Sequence, residues 1–282
     1  QFLHTVTAGI VTGSVFVFAI SAYHLWRKNN VQTMRKTFNI STWVGLVSIT
    51  FLGLIGHTQA LAIMETNPMK MIAAESHWET TAPASISIFT IADQKNGTNI
   101  VDFRIPYGLS FLINLNFTSE VIGINDLQKQ YEQQFGPGNY IPPINVTNYA
   151  FRVMVFLGIF VGMVFLYSAY MIIRKKPVEK MILFRWFPLI VVIPYLTNAS
   201  GWILTEMGRQ PWVVFGLLRT IDGVSNQSVP TLLISLIGFA LVYGALLVVD
   251  VTLLTRFAKL GPQDEKPGNL VAVAEMEDGY GA

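Results

Sequence analysis

Residues 229–255 read VPTLLISLIGFALVYGALLVVDVTLLT, 27 positions with a single charged side chain, Asp250, close to the end. Crossing a bilayer as a helix takes about 20 mostly apolar residues. No face of this stretch is polar, so it cannot rest on a soluble core as an amphipathic helix. Four more stretches pass the same test: Leu3–Trp26, Phe38–Met64, Tyr149–Ile173 and Ile182–Leu204. The second ends in Gly56-His57-Thr58-Gln59, and the fourth carries Pro188 and Pro194. Proline is tolerated in a spanning helix when neighbours satisfy the freed carbonyls.

Composition points the same way. Of the 282 residues, 52% are hydrophobic and 13% charged, with a net charge of +2. Soluble domains carry about 25% charged residues. A soluble enzyme, a disordered chain and a nucleic-acid binder are therefore excluded as classes. The absence of cysteine excludes a disulfide framework, a thiolate metal site and a Cys nucleophile. No charged n-region precedes the first apolar run, so no signal peptide is expected, and the chain reads as a fragment of something longer.

The fold class that follows is an all-α integral membrane protein, with five transmembrane helices and one large extracytoplasmic loop. Residues 1–64 hold two helices, 65–147 the loop, 148–262 three helices, and 263–282 a Gly-rich, acidic tail expected to be disordered. Charge sets the orientation. Arg27, Lys28, Arg35, Lys36, then Arg174, Lys175, Lys176, Lys180, Arg185, then Arg256, Lys259 and Lys266 fall on one side. The loop has Lys70, Lys95, Arg104 and Lys129 against eight acids. Short basic connections are cytoplasmic, which puts the loop and the first residue outside.

Within the loop, Asn67-Pro68 reads as an N-cap followed by a first-turn proline, predicting a helix over Met69–Glu79. Ile86–Ile91 and Ile100–Ile105 alternate as short strands. Gly136-Pro137-Gly138 and Pro142-Pro143 mark turns. A loop of this length on a compact membrane protein is usually functional.

Rare side chains then gather at one depth. His4 lies at the outer end of the first span, His57 in the outer part of the second, Arg152 and Met154 at the outer start of the third. Trp202 and Glu206 close the fourth, followed by Gly208-Arg209-Gln210-Pro211-Trp212. Ionisable residues in spans are expensive and mark sites. An imidazole and a thioether on opposite faces of iron suit a low-spin haem, with Arg152 available to a propionate. Gly9 and Gly13 would leave room for a flat macrocycle, but as a small-xxx-small pair they equally explain close helix packing. Methionine in a span is ordinarily filler, and an interfacial histidine an anchor. Lys70 and Glu75, five apart, stand about 140° apart on a helix, so each is free for another partner. His24 reads as an interfacial anchor, and His77 has no second ligand at metal spacing.

Five segments carry a resemblance. They are FLHTVTAG with Thr12-Gly13, Lys70-Met71-Ile72-Ala73-Ala74-Glu75 with Trp78-Glu79-Thr80, and Phe151-Arg152-Val153-Met154. The others are Gly201-Trp202 through Glu206-Met207-Gly208-Arg209-Gln210-Pro211-Trp212, and Arg256-Phe257-Ala258-Lys259-Leu260-Gly261-Pro262. In this order they resemble subunit I of cytochrome bd-type quinol oxidases over nearly the whole chain. The resemblance implies the last five spans of a nine-span subunit. It implies His4 and Met154 as axial ligands of the low-spin haem b, with Arg152 at its propionate. Glu206 would be the axial ligand of the high-spin haem b, with Trp202 beside it and Arg209 near its propionates. The 65–147 loop would bind quinol, and Lys70 and Glu75 would act in quinol oxidation, with Glu75 a proton acceptor open to the outside.

The implied reaction is oxidation of membrane quinol outside and reduction of O2 to water, charging a bacterial or archaeal cytoplasmic membrane without pumping. The ligand of the third haem, haem d or a replacement haem b, would lie in the absent spans. Implied partners are those N-terminal spans, the oxidase's second subunit and small accessory subunits. The competing class is a membrane haem-binding electron carrier without oxidase activity, or a transporter. A transporter would show inverted repeats and midplane polar breaks, and neither is present in the sequence.

Overall fold

The computed structural model describes residues 1–177 and 184–262. The expected tail over 263–282 and the start of the fourth span at Ile182 lie outside the described residues. In chain order the elements are α1 (Phe2–Trp26), α2 (Val31–Thr66), α3 (Pro68–Ala74), β1 (Ile86–Asp93) and β2 (Thr98–Ile105). Then come α4 (Gly108–Asn114), α5 (Ile124–Phe135), α6 (Ile144–Ile173), a 3-10 segment (Phe184–Val192) and α7 (Ile193–Met207). The chain continues with β3 (Trp212–Val214), β4 (Leu218–Arg219) and α8 (Val229–Leu260).

Five stretches are long and apolar enough to cross a membrane: α1, α2, α6, Trp186–Met207 and α8. They coincide with the five spans read from the sequence. The second starts earlier than expected, at Val31 rather than Phe38. In the fourth, Pro188 sits inside the 3-10 segment and Pro194 in the first turn of α7. A proline has no N–H to give and crowds the preceding turn, so the α-helical ladder starts only after the 3-10 segment.

The helices α1, α2, α6 and α7 with its 3-10 lead-in pack against one another. Their shared core lies in the half remote from the loop: Val11, Val15, Phe18, Ala22, Phe38, Val161, Phe165 and Phe187. The Phe18 ring stacks on Phe38 at 4.6 Å, meets Phe165 edge-on at 5.4 Å and lies 5.2 Å from Phe187. Gly45 makes this possible, since a Cβ there would stand 2.2 Å from Phe165 Cζ. Toward the loop the bundle opens: α1 buries no residue before Val11, and α2 none after Gly45. Along α8 no residue is buried among the described residues. It is tied to the bundle at its far end, where His24 Nε2 donates to the Ala258 carbonyl at 2.7 Å.

The loop is a small folded unit with its own core, including Met69, Ile72, Trp78, Leu109, Ile124, Leu127, Tyr131, Tyr140, Ile144 and Trp212. Tyr140 stacks on Trp212 at 5.6 Å. The strands β1 and β2 form an antiparallel hairpin, longer than the expected Ile86–Ile91 and Ile100–Ile105, with Asp93 facing Thr98 at the turn. Asn145 of α6 extends it, accepting from Ala92 N–H at 2.8 Å and donating back to the Ala92 carbonyl at 3.0 Å. Two helices, α4 and α5, were not expected. In α5, Ile124, Leu127 and Tyr131 at i, i+3 and i+7 bury one face.

The helix expected over Met69–Glu79 is shorter. Asn67 caps it as read, its side chain accepting from Lys70 N–H. It ends at Ala74 because Ser76 adopts a left-handed backbone, φ 47°. Ser76 N–H then bonds the Ala73 carbonyl and His77 N–H the Ile72 carbonyl, the paired closure of a Schellman motif.

Candidate functional site beneath the loop

The helix end at Ser76 delivers Glu75 downward rather than outward. Its residue is 1% exposed. One carboxylate oxygen accepts from Arg152 Nη2 of α6 in a buried ion pair, and from Ser87 N–H of β1 at 3.1 Å. Arg152 is likewise buried, and its Nε has no hydrogen-bond partner among the described residues. The expectation that Glu75 stands open to the outside is corrected here: the hairpin closes over it. A buried carboxylate needs a counter-charge and donors, and both are supplied by segments distant in sequence.

Arg104 of β2 fixes the backbone around this carboxylate. It donates to the carbonyls of Glu75 at 3.2 Å, Ser76 at 2.6 Å and Ser85 at 3.2 Å, and is itself held by Asp102 at 2.6 Å. Asn148 of α6 donates to the Ala74 carbonyl at 2.7 Å and accepts from Thr90 of β1. Hairpin, α3 and α6 are thus locked together around one acid. Sequence reasoning missed Ser87, Arg104 and Asn148 as partners. Only Asn148, a polar residue opening an apolar span, carried a signal.

Lys70 turns the other way. Its Nζ reaches the Thr205 carbonyl of α7 at 3.3 Å. Burial, then the Arg209 guanidinium, pull its pKa below the usual lysine range, with Glu206 opposing. Arg209 pairs with Glu206 one turn back, at about a third exposure. A Cβ on Gly208 would stand 3.1 Å from the Lys70 stem, so the glycine lets α3 lie against the end of α7. Trp202, one turn before Glu206, is 68% exposed. Trp202 and Glu206 thus lie on one side of α7, Trp202 exposed and Glu206 partly covered by Arg209.

His4 and Met154 stand in the open half of the bundle. A Cβ on Gly56 of α2 would be 3.3 Å from the His4 ring, and one on Gly201 of α7 would be 3.0 Å from Met154 Sδ. His4 Nδ1 is buried with no hydrogen-bond partner. Gly9 and Gly13 of α1 are exposed, and among the described residues nothing lies within 4 Å of an added Cβ there. An imidazole nitrogen buried without a hydrogen-bond partner among the described residues and a thioether are the two donor types that a haem held by His4 and Met154 would need. His57 lies on the same stretch of α2, beyond its last buried residue.

His77 borders the site from above. Burial, then the Arg104 guanidinium, lower its pKa from the ordinary histidine value, against smaller opposing effects of the Val121 backbone, Asp102 and Glu79. The folded loop thus binds fewer protons than the unfolded chain in the window below about 6.5. Stability is therefore lost as pH falls through that window. Hydrogen exchange at β1 amides is expected to accelerate on acidification in the parent. In His77→Gln this pH dependence should flatten, and an equally steep dependence there would assign it to other groups.

Residues 1–262 match the family described as cytochrome bd terminal oxidase subunit I. The chain is 36% identical over 267 residues to cytochrome bd ubiquinol oxidase subunit 1 of Bacillus subtilis (strain 168), covering 94% of this chain and 57% of that protein. It is 25% identical over 327 residues to cytochrome bd-II ubiquinol oxidase subunit 1 of Escherichia coli (strain K12), covering 95% and 64%. Among solved structures, the bd oxidase from Geobacillus thermodenitrificans superposes with a TM-score of 0.77 at 26% identity, covering 92% of this chain and 57% of that one. The chain thus spans 57–64% of the length of these curated relatives. With its five spans and a family match over 262 residues, this multi-pass membrane chain belongs to the cytochrome bd terminal oxidase subunit I family.

Proposed function

We propose that this chain forms the quinol-oxidising, low-spin-haem part of a bd-type terminal oxidase, with residues 65–147 as the quinol-binding loop outside the membrane and the C-terminal end of α8 in the cytoplasm. The observation that carries the reading is the buried Glu75–Arg152 pair. It ties the loop to α6 two residues before Met154, so a quinol at the loop and a haem at His4 and Met154 would be neighbours.

Oxidising a quinol releases two protons and two electrons. Glu75 is the group placed to accept a proton, at the carboxylate oxygen now shared by Arg152 Nη2 and Ser87 N–H. Proton transfer thus requires the pair to loosen, and the Arg152 guanidinium then becomes free for a propionate. Lys70, whose Nζ donates to the Thr205 carbonyl, would have to leave that partner to donate to a quinol oxygen. The haem, when bound, supplies one-electron transfer. His4 and Met154 would hold the iron, and the Met154 thioether would favour its reduced form. A high-spin haem b would be held by Glu206, with Trp202 beside it and Arg209 at its propionates. The exposure of Trp202 supports a site at a boundary that another part of the oxidase would complete. Reduction of O2, the third haem, the proton route and the second subunit are assigned to parts beyond these five spans.

The test is spectroscopic. In His4→Ala or Met154→Leu, the low-spin haem b signal is expected to disappear while the chain still inserts, because one axial bond is lost. A low-spin spectrum unchanged in both variants overturns the assignment.

A further inference from the structure

At the end of the bundle remote from the loop, α1 and α8 meet around a cavity of about 370 Å³ lined by Tyr23, His24, Arg27, Lys28, Asn29 and Lys259. This places it at the lower end of the size range of small-molecule sites. Its walls are fixed. His24 is buried, its Nε2 donating to the Ala258 carbonyl at 2.7 Å while Nδ1 accepts from Asn29 Nδ2 at 3.2 Å. Asn30 reaches the Pro262 carbonyl at 2.7 Å. A Cβ on Gly261 would stand 2.5 Å from His24 Cε1, so the end of α8 is seated on the imidazole.

Lys28 has φ 56°, a left-handed backbone. Lys28 N–H bonds the Leu25 carbonyl and Asn29 N–H the His24 carbonyl, so Lys28 occupies the Schellman position where glycine is usual. Lys175 closes the end of α6 in the same way, with φ 52°, so the backbone conformation alone does not mark the site. Three cations, Arg27, Lys28 and Lys259, converge on the cavity. Among the described residues none of them is in an ion pair. One cation per helix end would answer the dipoles of α1 and α8; a third exceeds that need. Trp26, 52% exposed and adjacent to the cavity, is the kind of aromatic that sits at headgroup depth.

From this juxtaposition we propose that the cavity binds the phosphodiester headgroup of an anionic phospholipid, held by Arg27, Lys28 and Lys259 at the membrane surface opposite the loop. Basic pockets between helices on the cytoplasmic side are recurrent headgroup sites. The proposal is independent of the redox reading.

The full chain, purified in detergent and delipidated, is titrated with phosphatidylglycerol in mixed micelles, and bound lipid is read by native mass spectrometry. Phosphatidylcholine and inorganic phosphate serve as the comparison arms. Saturable binding of phosphatidylglycerol over phosphatidylcholine is expected. Each neutralised cation should weaken it about fivefold, the equivalent of about 1 kcal/mol per basic side chain near an anionic surface. Arg27→Gln with Lys259→Gln should therefore lose about 25-fold, while Lys95→Gln with Lys129→Gln, on the loop, should change nothing. If the double variant does not fold, the exposed Lys28→Gln alone carries the fivefold expectation. Binding unchanged in these variants overturns the site. Inorganic phosphate that binds the parent at the same residues and is not displaced by phosphatidylglycerol overturns the lipid.

Discussion

Glu75→Gln is expected to slow quinol-driven reduction about 100-fold or more, the ordinary worth of a positioned acid–base group, while dithionite still reduces the haems. The same substitution should lower loop stability by about 3–5 kcal/mol, because it leaves the Arg152 guanidinium buried without its counter-charge. Arg152→Gln should cost a similar amount from the other side. The two effects separate in the double variant. With both charges gone, the stability loss is expected to shrink well below the sum of the singles. Quinol turnover should stay low, since the proton acceptor is still missing. Turnover that recovers together with stability would reduce the pair to a structural tie. Stopped-flow reduction and thermal unfolding of the loop, run on the four proteins of the cycle, give the answer.

Phe18→Ala is expected to destabilise the bundle by about 3–5 kcal/mol, the cost of deleting a buried phenyl and leaving its cavity. Between membrane helices, close van der Waals packing carries the association, so the loss cannot be made good by apolar solvent. Phe18 is fully buried, and its ring touches rings from α2, α6 and the 3-10 segment. Its removal therefore loosens three helix contacts together. Val17→Ala, at a position 43% exposed, should stay within about 0.5 kcal/mol. Thermal unfolding in detergent reads both, and equal melting of the two variants would show that the aromatic cluster is not the bundle's centre.

The spans were legible because a bilayer leaves the backbone few solutions, and length with hydropathy already selects them. The divergence of Lys70 and Glu75 was legible too: at a spacing of five they point apart, one to α7 and the other to α6. The burial of Glu75 was not. It depends on Ser76 leaving the helical conformation and on Ser87 and Arg104, 12 and 29 residues away, folding back over it. Neither event has a local pattern; serine is not the usual residue for a left-handed helix end. In the same way α5 carries a regular apolar stripe, yet its polar composition resembles that of a plain loop. Gly9 and Gly13 are exposed, and an added Cβ on either would meet none of the described residues, so the pair makes no close helix contact among them.

A bundle that packs tightly at one end and opens at the other has a consequence for how the protein is made. The phenylalanine cluster sets the helix spacing far from the open end, so helix association can be completed there first. Order at the open end is then separable from order in the packed half. Ligand occupancy adds its stabilisation by mass action at the open end, where the packed residues contribute least.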